Sequence, residues 1–353
     1  MTIQGVNLNK NISFRAEEEE LKSENITVSV KSDLVKSPKE DNFEKEKNTE
    51  KSEDKQLLGI IFASLISTLM LLYGGIVLKR KLSKPSFEEV QKCFKEIFNK
   101  NLSAEQIKDL ISKYKKICKN KNTDEFIQKM INQLKKDYGI DGVKTELKIT
   151  KLADNRISTA LNQRERGNAS PLAKIHIMPR TSGDHIVRSV QCETFATGFH
   201  EMKHLTQFSE AYRANPDKFA EVLFRHNVKP EEVEKNIKDS MQKHNTAELE
   251  QIKNQFNLQS EDDLYKFFKE SVEENYIKSY RKQLDERYGK LTPYQKDSEE
   301  YKKGMEYIEA YEKYPDPEKN YEEYQKNLLE KEAWNIADMA KKIFRYTSSI
   351  WKL

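Results

Sequence analysis

Two histidines and a glutamate fall within five consecutive residues of this chain, in the order His200-Glu201-Met202-Lys203-His204. On a helix, His200 and His204 lie one turn apart on the same face, so both imidazoles can bind one metal ion. A catalytic zinc ion takes three protein ligands and leaves a fourth position for water. Glu201, next to the first histidine, is placed to take a proton from that water. This spacing predicts a zinc site that catalyses hydrolysis.

The elements around the motif must hold these side chains in place. Residues 191–213 contain no proline, and their large apolar side chains recur at helical spacing. Two short alternating runs, Glu146–Leu152 and Ala173–Met178, precede this helix and predict strands. The polar stretch Asn162–Ser170 between them is typical of a loop. The sequence therefore predicts an α+β fold that is mostly helical, with a small sheet and an HExxH active-site helix.

The motif and its surroundings resemble the zincin metallopeptidases, which are named for this HExxH helix. The resemblance covers about residues 145–213 together with the last helix, and its one specific motif is HEMKH. It implies a zinc metallopeptidase that hydrolyses a peptide or protein substrate through a zinc-bound water, with Glu201 as general base. It also implies that an edge strand lies along the cleft and pairs with extended substrate. Ala173–Met178 is the candidate for that strand.

A third metal ligand must come from elsewhere in the chain. In gluzincins it is a glutamate on a later helix, and the segment Glu330–Asp338 is similar to that pattern, with a weak resemblance to ImmA/IrrE-type domains. The resemblance implies that Glu332 completes the ligand set with His200 and His204. It further implies that Asp338 orients a ligand histidine, since metal-bound imidazoles usually need such a partner.

Glu210 is the rival third ligand. It follows His204 at the spacing where metzincins place their third ligand. Metzincins, however, have glycine where this chain has Gln207, and histidine or aspartate where it has Glu210. On an uninterrupted helix Glu210 faces away from the metal. Glu332 is therefore the preferred interpretation.

The distance along the chain to the third ligand departs from the family pattern. Residues 205–331 separate the motif from Glu332, which is a longer spacing than in compact ImmA/IrrE-type proteins. Charged helical patterns over about residues 216–313 predict a helical insertion that caps the cleft or binds a partner. A last helix is predicted over about Tyr321–Tyr346. These segments belong to a predicted zincin-like domain of residues 141–353.

The N-terminal part of the chain has a different composition. Residues 1–56 are dominated by Lys, Glu, Asn and Ser, which predicts a disordered polar tail. Residues 57–78 carry no charge and are long enough to cross a bilayer core, which predicts one transmembrane helix. The basic residues that follow favour a single-pass membrane protein with a cytoplasmic C-terminal domain. Residues 79–140 predict a helical juxtamembrane region, in which Ser103 and Gln106 form a capping box.

Charge and cysteine usage exclude several classes of protein. The 62 basic and 58 acidic residues nearly cancel, to a formal net charge of +4, so no nucleic-acid partner is expected. Three widely spaced cysteines without a CxxC pair argue against a disulfide framework and against a thiolate zinc site. The abundance of Lys and Asn favours an AT-rich, bacterial genome.

Two other functions are consistent with the same sequence. A non-enzymatic, membrane-anchored interaction protein would bind partners through the helices of residues 86–140 and 216–313, and would tolerate replacement of HEMKH. A structural zinc site would keep the metal without catalysis, although such a site has no use for a base at Glu201. The substrate, the cleavage preference and the oligomeric state stay open.

Overall fold

The computed structural model describes residues 84–153, 166–187, 190–317 and 319–348. Its first three helices are α1 (Phe87–Phe98), α2 (Ala104–Cys118) and α3 (Thr123–Tyr138). A polar side chain caps the N-terminus of each helix and accepts a hydrogen bond from the first turn. The predicted capping box is confirmed, because Ser103 and Gln106 each accept a hydrogen bond from the other's backbone N–H.

A long helix, α4 (Gln191–Ala214), carries the HExxH motif through the middle of the fold. The helix predicted over residues 191–213 is confirmed. Phe195 and Phe199 on α4 contact Tyr114 of α2, so the N-terminal helices pack directly against it. Because protein covers most faces of α4, many of its polar side chains are buried together with its apolar ones.

Five helices span the segment that was predicted to be a helical insertion, and two of them begin with proline. They are α5 (Pro216–Asn227), α6 (Pro230–Gln242), α7 (Thr246–Phe256), α8 (Glu261–Tyr288) and α9 (Glu299–Glu312). Part of this segment has its own small hydrophobic cluster, which includes Phe224, Val233 and Leu264. In contrast, Tyr307 and Ile308 of α9 belong to the main core that surrounds α4. The segment is therefore only partly separate from the rest of the fold.

The last helical segment is broken into two helices, where the sequence predicts one. These are α10 (Tyr321–Lys326) and α11 (Leu328–Thr347). The break falls at Asn327, whose side chain accepts a hydrogen bond from the backbone N–H of Leu329 and so caps α11. Small buried residues, Ala333 and Ala337, lie in the core-facing stripe of α11, which lets this helix pack closely.

The strands are short and form two three-stranded sheets, ordered β1-β4-β3 and β2-β5-β6. They are β1 (Glu146–Ile149), β2 (Leu152–Ala153), β3 (Arg166–Ala169), β4 (Lys174–Met178), β5 (Arg180–Ser182) and β6 (His185–Ile186). The two parallel pairs share one register, with Glu146 opposite Lys174 and Leu152 opposite Arg180. Pro179 separates β4 from β5 because it has no N–H, but its carbonyl still accepts from Leu152 at 2.9 Å. The two sheets therefore continue one interrupted ladder.

The predicted fold class needs correction. The protein is mostly helical, and no strand among the described residues exceeds the five residues of β4, so an α+β assignment overstates the sheet. Residues Ala173–Met178 do not form an edge strand, because β4 pairs with β1 on one side and with β3 on the other. The predicted loop over Asn162–Ser170 contains β3, whose antiparallel pairing with β4 was not evident from its polar residues.

The predicted single-pass membrane architecture is also wrong for the part of the chain that the structure describes. None of the helices there combines the length and the apolar character needed to cross a membrane, because each carries charged side chains among its apolar ones. The described residues therefore do not support the predicted membrane localisation or its orientation. The tail predicted for residues 1–56 and the span predicted for residues 57–78 lie outside the described residues. Helices α1–α3, predicted as a juxtamembrane region, belong to the core around α4.

Candidate metal centre

Three buried side chains from α4 and α11 converge on one point. Nε2 of His200 lies 3.1 Å from Nε2 of His204. Glu330 Oε1 lies 3.1 Å from His204 Nε2, and Glu330 Oε2 lies 3.5 Å from His200 Nε2. Glu330 is only 1% exposed. Helix α4 places the histidines one turn apart, as their spacing predicts, and the first turn of α11 brings the glutamate to them.

The spacing of these atoms fits a small cation bound between them. Ligand atoms about 2.1 Å from a tetrahedral zinc ion are about 3.4 Å apart, and the observed separations are 3.1–3.5 Å. Glu330 Oε2 is buried and makes no hydrogen bond with the described residues, whereas buried polar atoms normally have a partner. The group could therefore hold a metal ion. Two imidazoles and a carboxylate do not by themselves distinguish zinc from other divalent transition metals.

Burial and charge act in opposite directions on the protonation of this group. Burial acts to raise the pKa of Glu330, but the adjacent imidazoles of His200 and His204 overcome it and hold that pKa well below its ordinary value. Burial lowers the pKa of His200. Burial also opposes protonation of His204, but Glu330 and Glu201 overcome it and raise the pKa of that imidazole. The glutamate is therefore anionic, as a metal ligand must be.

Glu201 lies on the side of α4 that faces β3. Its carboxyl is buried, and the backbone N–H of Ala169 donates a hydrogen bond to it. Gly167 of the same strand is so close that a Cβ atom there would lie 2.4 Å from Glu201 Oε1. Burial raises the pKa of Glu201 to about 7, against a smaller opposing effect of His204. A carboxyl with this pKa can both accept and donate a proton near neutral pH.

Aromatic side chains surround the three converging residues. The Tyr314 hydroxyl donates a hydrogen bond to Glu330 Oε1. The Trp334 ring packs at a steep angle against His200, with ring centroids 4.6 Å apart, and is 44% exposed. Tyr324 of α10 packs against Tyr314 at 5.6 Å, and burial together with the Glu330 carboxylate raises its pKa. Trp334 is therefore the exposed member of the aromatic side chains around the group.

Glu332, the predicted third ligand, does not lie beside the histidines. Its carboxylate instead contacts Lys203, Lys303 and Tyr307. The structure brings Glu330 to the histidines in its place. Residues two apart on a helix point in directions about 200° apart, so the two glutamates cannot both face the same point.

The sequence does contain a signal that favours Glu330. Residues Glu330, Ala333 and Ala337 follow one another at spacings of three and four, and all three lie on the stripe that α11 buries. Glu332 is off that stripe. The similarity to the gluzincin pattern favours Glu332. The periodicity of the apolar residues favours Glu330, which is the glutamate that faces α4.

The other two candidates from the sequence also lie away from the histidines. Glu210 sits on the uninterrupted part of α4, where Lys203 is among its charged neighbours. Asp338 is exposed and pairs with a lysine on the next turn, so it orients neither histidine. The side chain that does contact a histidine of the group is Gln207, which was not a candidate for this contact from the sequence. Its Oε1 lies 3.0 Å from His204 Nδ1.

Comparisons with protein-family models, with curated proteins and with solved structures found no match. The function must therefore be inferred from these residues themselves. They form a buried group, His200, His204 and Glu330, that could hold a metal ion.

Proposed function

We propose that this protein is a zinc-dependent peptidase in which His200, His204 and Glu330 hold the metal and Glu201 is the general base. The observation that carries the proposal is the buried His-His-Glu group with a second buried carboxyl of raised pKa directly beside it in the sequence. Two histidines and a glutamate are a donor set of catalytic zinc sites, which leave the fourth position open. Structural zinc sites usually have four protein ligands. A set of three favours catalysis.

Each residue has a definite task in the proposed reaction. Zinc held by His200, His204 and Glu330 would lower the pKa of a water molecule and would polarise the scissile carbonyl. Glu201 accepts the proton that the attacking water loses, because burial raises the pKa of its carboxyl to about 7. The same carboxyl then donates that proton to the leaving amine. Tyr314 holds the Glu330 carboxylate in place through its hydroxyl.

Support for a peptide substrate comes from β3, the strand beside Glu201. The backbone N–H of Ser170 donates to the carbonyl of Lys174. Because N–H groups alternate in direction along an antiparallel strand, those of Gly167 and Ala169 point away from β4. Ala169 donates to Glu201, but Gly167 has no strand partner on that side among the described residues. An extended peptide can add to this side of β3 next to the general base.

The test combines metal content with proteolysis on the full-length protein. Protein supplied with zinc and then desalted is expected to retain about one zinc per chain by elemental mass spectrometry, and to cleave members of a random peptide library. His204→Ala and Glu330→Gln each remove a ligand and are expected to lose most of the zinc. Glu201→Gln is expected to keep the zinc and to lose about 100-fold or more of the cleavage rate.

Glu193→Gln is the matched control, because Glu193 lies on the same helix but pairs with Lys341 on the surface. It is expected to keep both zinc and activity. Folded wild-type protein that takes up no zinc would overturn the proposal. If the protein binds zinc and Glu201→Gln cleaves peptides as fast as the wild type, Glu201 is not the general base. If the protein binds zinc but cleaves no peptide, a structural metal site is favoured.

A further inference from the structure

Gln207 is a fully buried amide on α4, one turn after His204. Its Oε1 lies 3.0 Å from Nδ1 of His204. Its Nε2 donates to two acceptors on α11, the carbonyl oxygen of Leu329 at 3.2 Å and Oε2 of Glu332 at 3.1 Å. The amide therefore links the second histidine to the helix that also carries Glu330.

These hydrogen bonds fix which way the amide points. Its nitrogen can only donate, and both partner atoms on α11 can only accept, so exchanging the amide oxygen and nitrogen would place oxygen against oxygen at both contacts. With Oε1 held toward His204, Nδ1 of that ring must carry a proton to make the hydrogen bond. A neutral imidazole protonated on Nδ1 has its free lone pair on Nε2. That is the atom that faces His200 and Glu330.

Glu332 is held as a charged acceptor by groups from two helices. Lys203 and Lys303 each lie 3.1 Å from one of its oxygens, and the Tyr307 hydroxyl donates to it at 2.7 Å. A carboxylate in contact with two ammonium groups and a donating hydroxyl acts as an acceptor, so it accepts the hydrogen bond from Nε2 of Gln207.

We propose that Gln207 and Glu332 form a relay that keeps the proton of His204 on Nδ1 and leaves Nε2 free for the metal. Glu332 is then a positioning residue that acts through Gln207. This role rests on the metal site proposed for His200, His204 and Glu330. It also makes α9 part of the support of the metal centre, because Lys303 and Tyr307 lie on that helix. The helical insertion predicted from the sequence thus helps to build the site.

Zinc affinity of the full-length protein tests the relay, measured by competition for Zn²⁺ against a chromophoric chelator. Gln207→Met removes the acceptor with little change in side-chain length and is expected to weaken zinc binding by about 10- to 100-fold. Glu332→Met is expected to weaken it by a similar factor. Glu332→Gln is expected to lose less zinc affinity than Glu332→Met, because a glutamine can still turn an oxygen toward Gln207. Were Glu332 a ligand, Glu332→Gln would lose the metal as fully as Glu330→Gln, and the relay would be overturned.

A double-mutant cycle separates the relay from a general loss of packing. Since Glu332 acts through Gln207, Glu332→Met is expected to cause no further loss of zinc affinity in the Gln207→Met background. Additive losses would overturn the relay. Glu306→Met is the matched control, because Glu306 also lies 3.1 Å from Lys303 Nζ and has no hydrogen bond to Gln207. Its affinity is expected to equal that of the wild type, and thermal unfolding without metal verifies that each variant is folded.

The outcomes distinguish this relay from the proposed function. Zinc binding without Glu201-dependent cleavage would overturn the peptidase and leave the relay standing if the cycle is non-additive. An active peptidase with an additive cycle would overturn the relay alone. A folded wild-type chain with no zinc affinity would overturn both.

Discussion

At the scale of single residues, Gly167 leaves no room for a side chain between β3 and the proposed base. A Cβ atom at this position would lie 2.4 Å from Glu201 Oε1 and 2.6 Å from Thr197 Cγ2. Gly167→Ala therefore has to displace either β3 or the carboxyl of Glu201. We expect a loss of about 1–3 kcal/mol in the free energy of unfolding, and a loss of about 100-fold in cleavage rate from a misplaced base. Chemical denaturation and peptide hydrolysis measure the two effects.

Gly142→Ala is the control for this substitution. The atom nearest to a Cβ on Gly142 is Cβ of Lys290 at 3.7 Å, which is an ordinary contact. This variant is expected to keep the wild-type cleavage rate. Zinc affinity should change little in Gly167→Ala as well, since Glu201 is not one of the three ligands. A Gly167→Ala protein with full activity would show that Glu201 does not need its present position.

The residues of the candidate metal centre differ in how far sequence could predict them. His200, Glu201 and His204 follow from one local spacing, because four residues make about one helical turn. The third candidate ligand depends on how a distant helix is rotated, and that rotation depends on where α11 begins. Asn327 starts α11 and thereby turns Glu330 toward α4. Gln207 was missed because an amide beside a histidine has no distinctive pattern in sequence.

At the scale of elements, the contact between α9 and α4 depends on a glycine. A Cβ atom on Gly304 would lie 2.5 Å from the backbone carbonyl oxygen of Glu210 and 2.5 Å from Cβ of Ala214. Alanine favours a helix over glycine by about 1 kcal/mol, but neither of these neighbouring atoms can move without moving α4. We therefore expect Gly304→Ala to destabilise the protein by about 1–3 kcal/mol in chemical denaturation.

Gly198→Ala on α4 is the matched comparison, because it makes the same change within a helix. The nearest atoms to its Cβ are Cε and Sδ of Met130, at 2.2 and 2.9 Å. These belong to the end of a flexible side chain that can adopt another rotamer. Gly198→Ala is therefore expected to lower the free energy of unfolding by less than Gly304→Ala does. The reverse order would mean that α9 can shift on α4 and that its contact is not tightly fitted.

Helices were predictable from sequence to the extent that local residues determine them. Helix α4 and the capping box of α2 both follow from neighbouring residues, and both are confirmed. The strands were less predictable, because their pairing joins residues far apart in the chain. β4 has the alternating pattern of a half-buried strand, but that pattern does not reveal that β3 pairs with the edge of β4 that faces away from β1. The sequence-based choice of edge strand failed for this reason.

At the scale of the whole molecule, one hydrophobic core joins segments that the sequence assigned to different regions. Phe94 of α1, Phe126 of α3 and Phe344 of α11 all belong to the core around α4. Periodicity correctly indicated that residues 86–138 are helical, but it carries no information about which surface a helix contacts. The assignment of these helices to a juxtamembrane region came from their position in the chain and is not supported by their packing.

The buried carboxyl of Glu201 should make the stability of the metal-free protein depend on pH. Its pKa is raised to about 7 in the folded protein, against about 4.3 for an unfolded glutamate. Below about pH 4 the carboxyl is protonated in both the folded and the unfolded protein, so it does not lower the free energy of unfolding. As pH rises toward 7, the unfolded chain releases the proton more readily than the folded protein does. The stability therefore falls over this window and levels off above pH 7, by about 4 kcal/mol in total from this group.

Glu201→Gln removes this titration and should stabilise the metal-free protein more at pH 8 than at pH 5. We expect the difference in unfolding free energy between variant and wild type to grow by about 2.5 kcal/mol between these two pH values. Denaturant unfolding in the presence of a chelator measures it. Glu193→Gln, an exposed change on the same helix, is expected to show no such growth. If the difference in unfolding free energy between Glu201→Gln and the wild type is the same at both pH values, the Glu201 carboxyl has the pKa of an ordinary glutamate. A stabilising effect of the expected size would show that the fold keeps a destabilising acid beside its histidines, as a base poised near neutral pH requires.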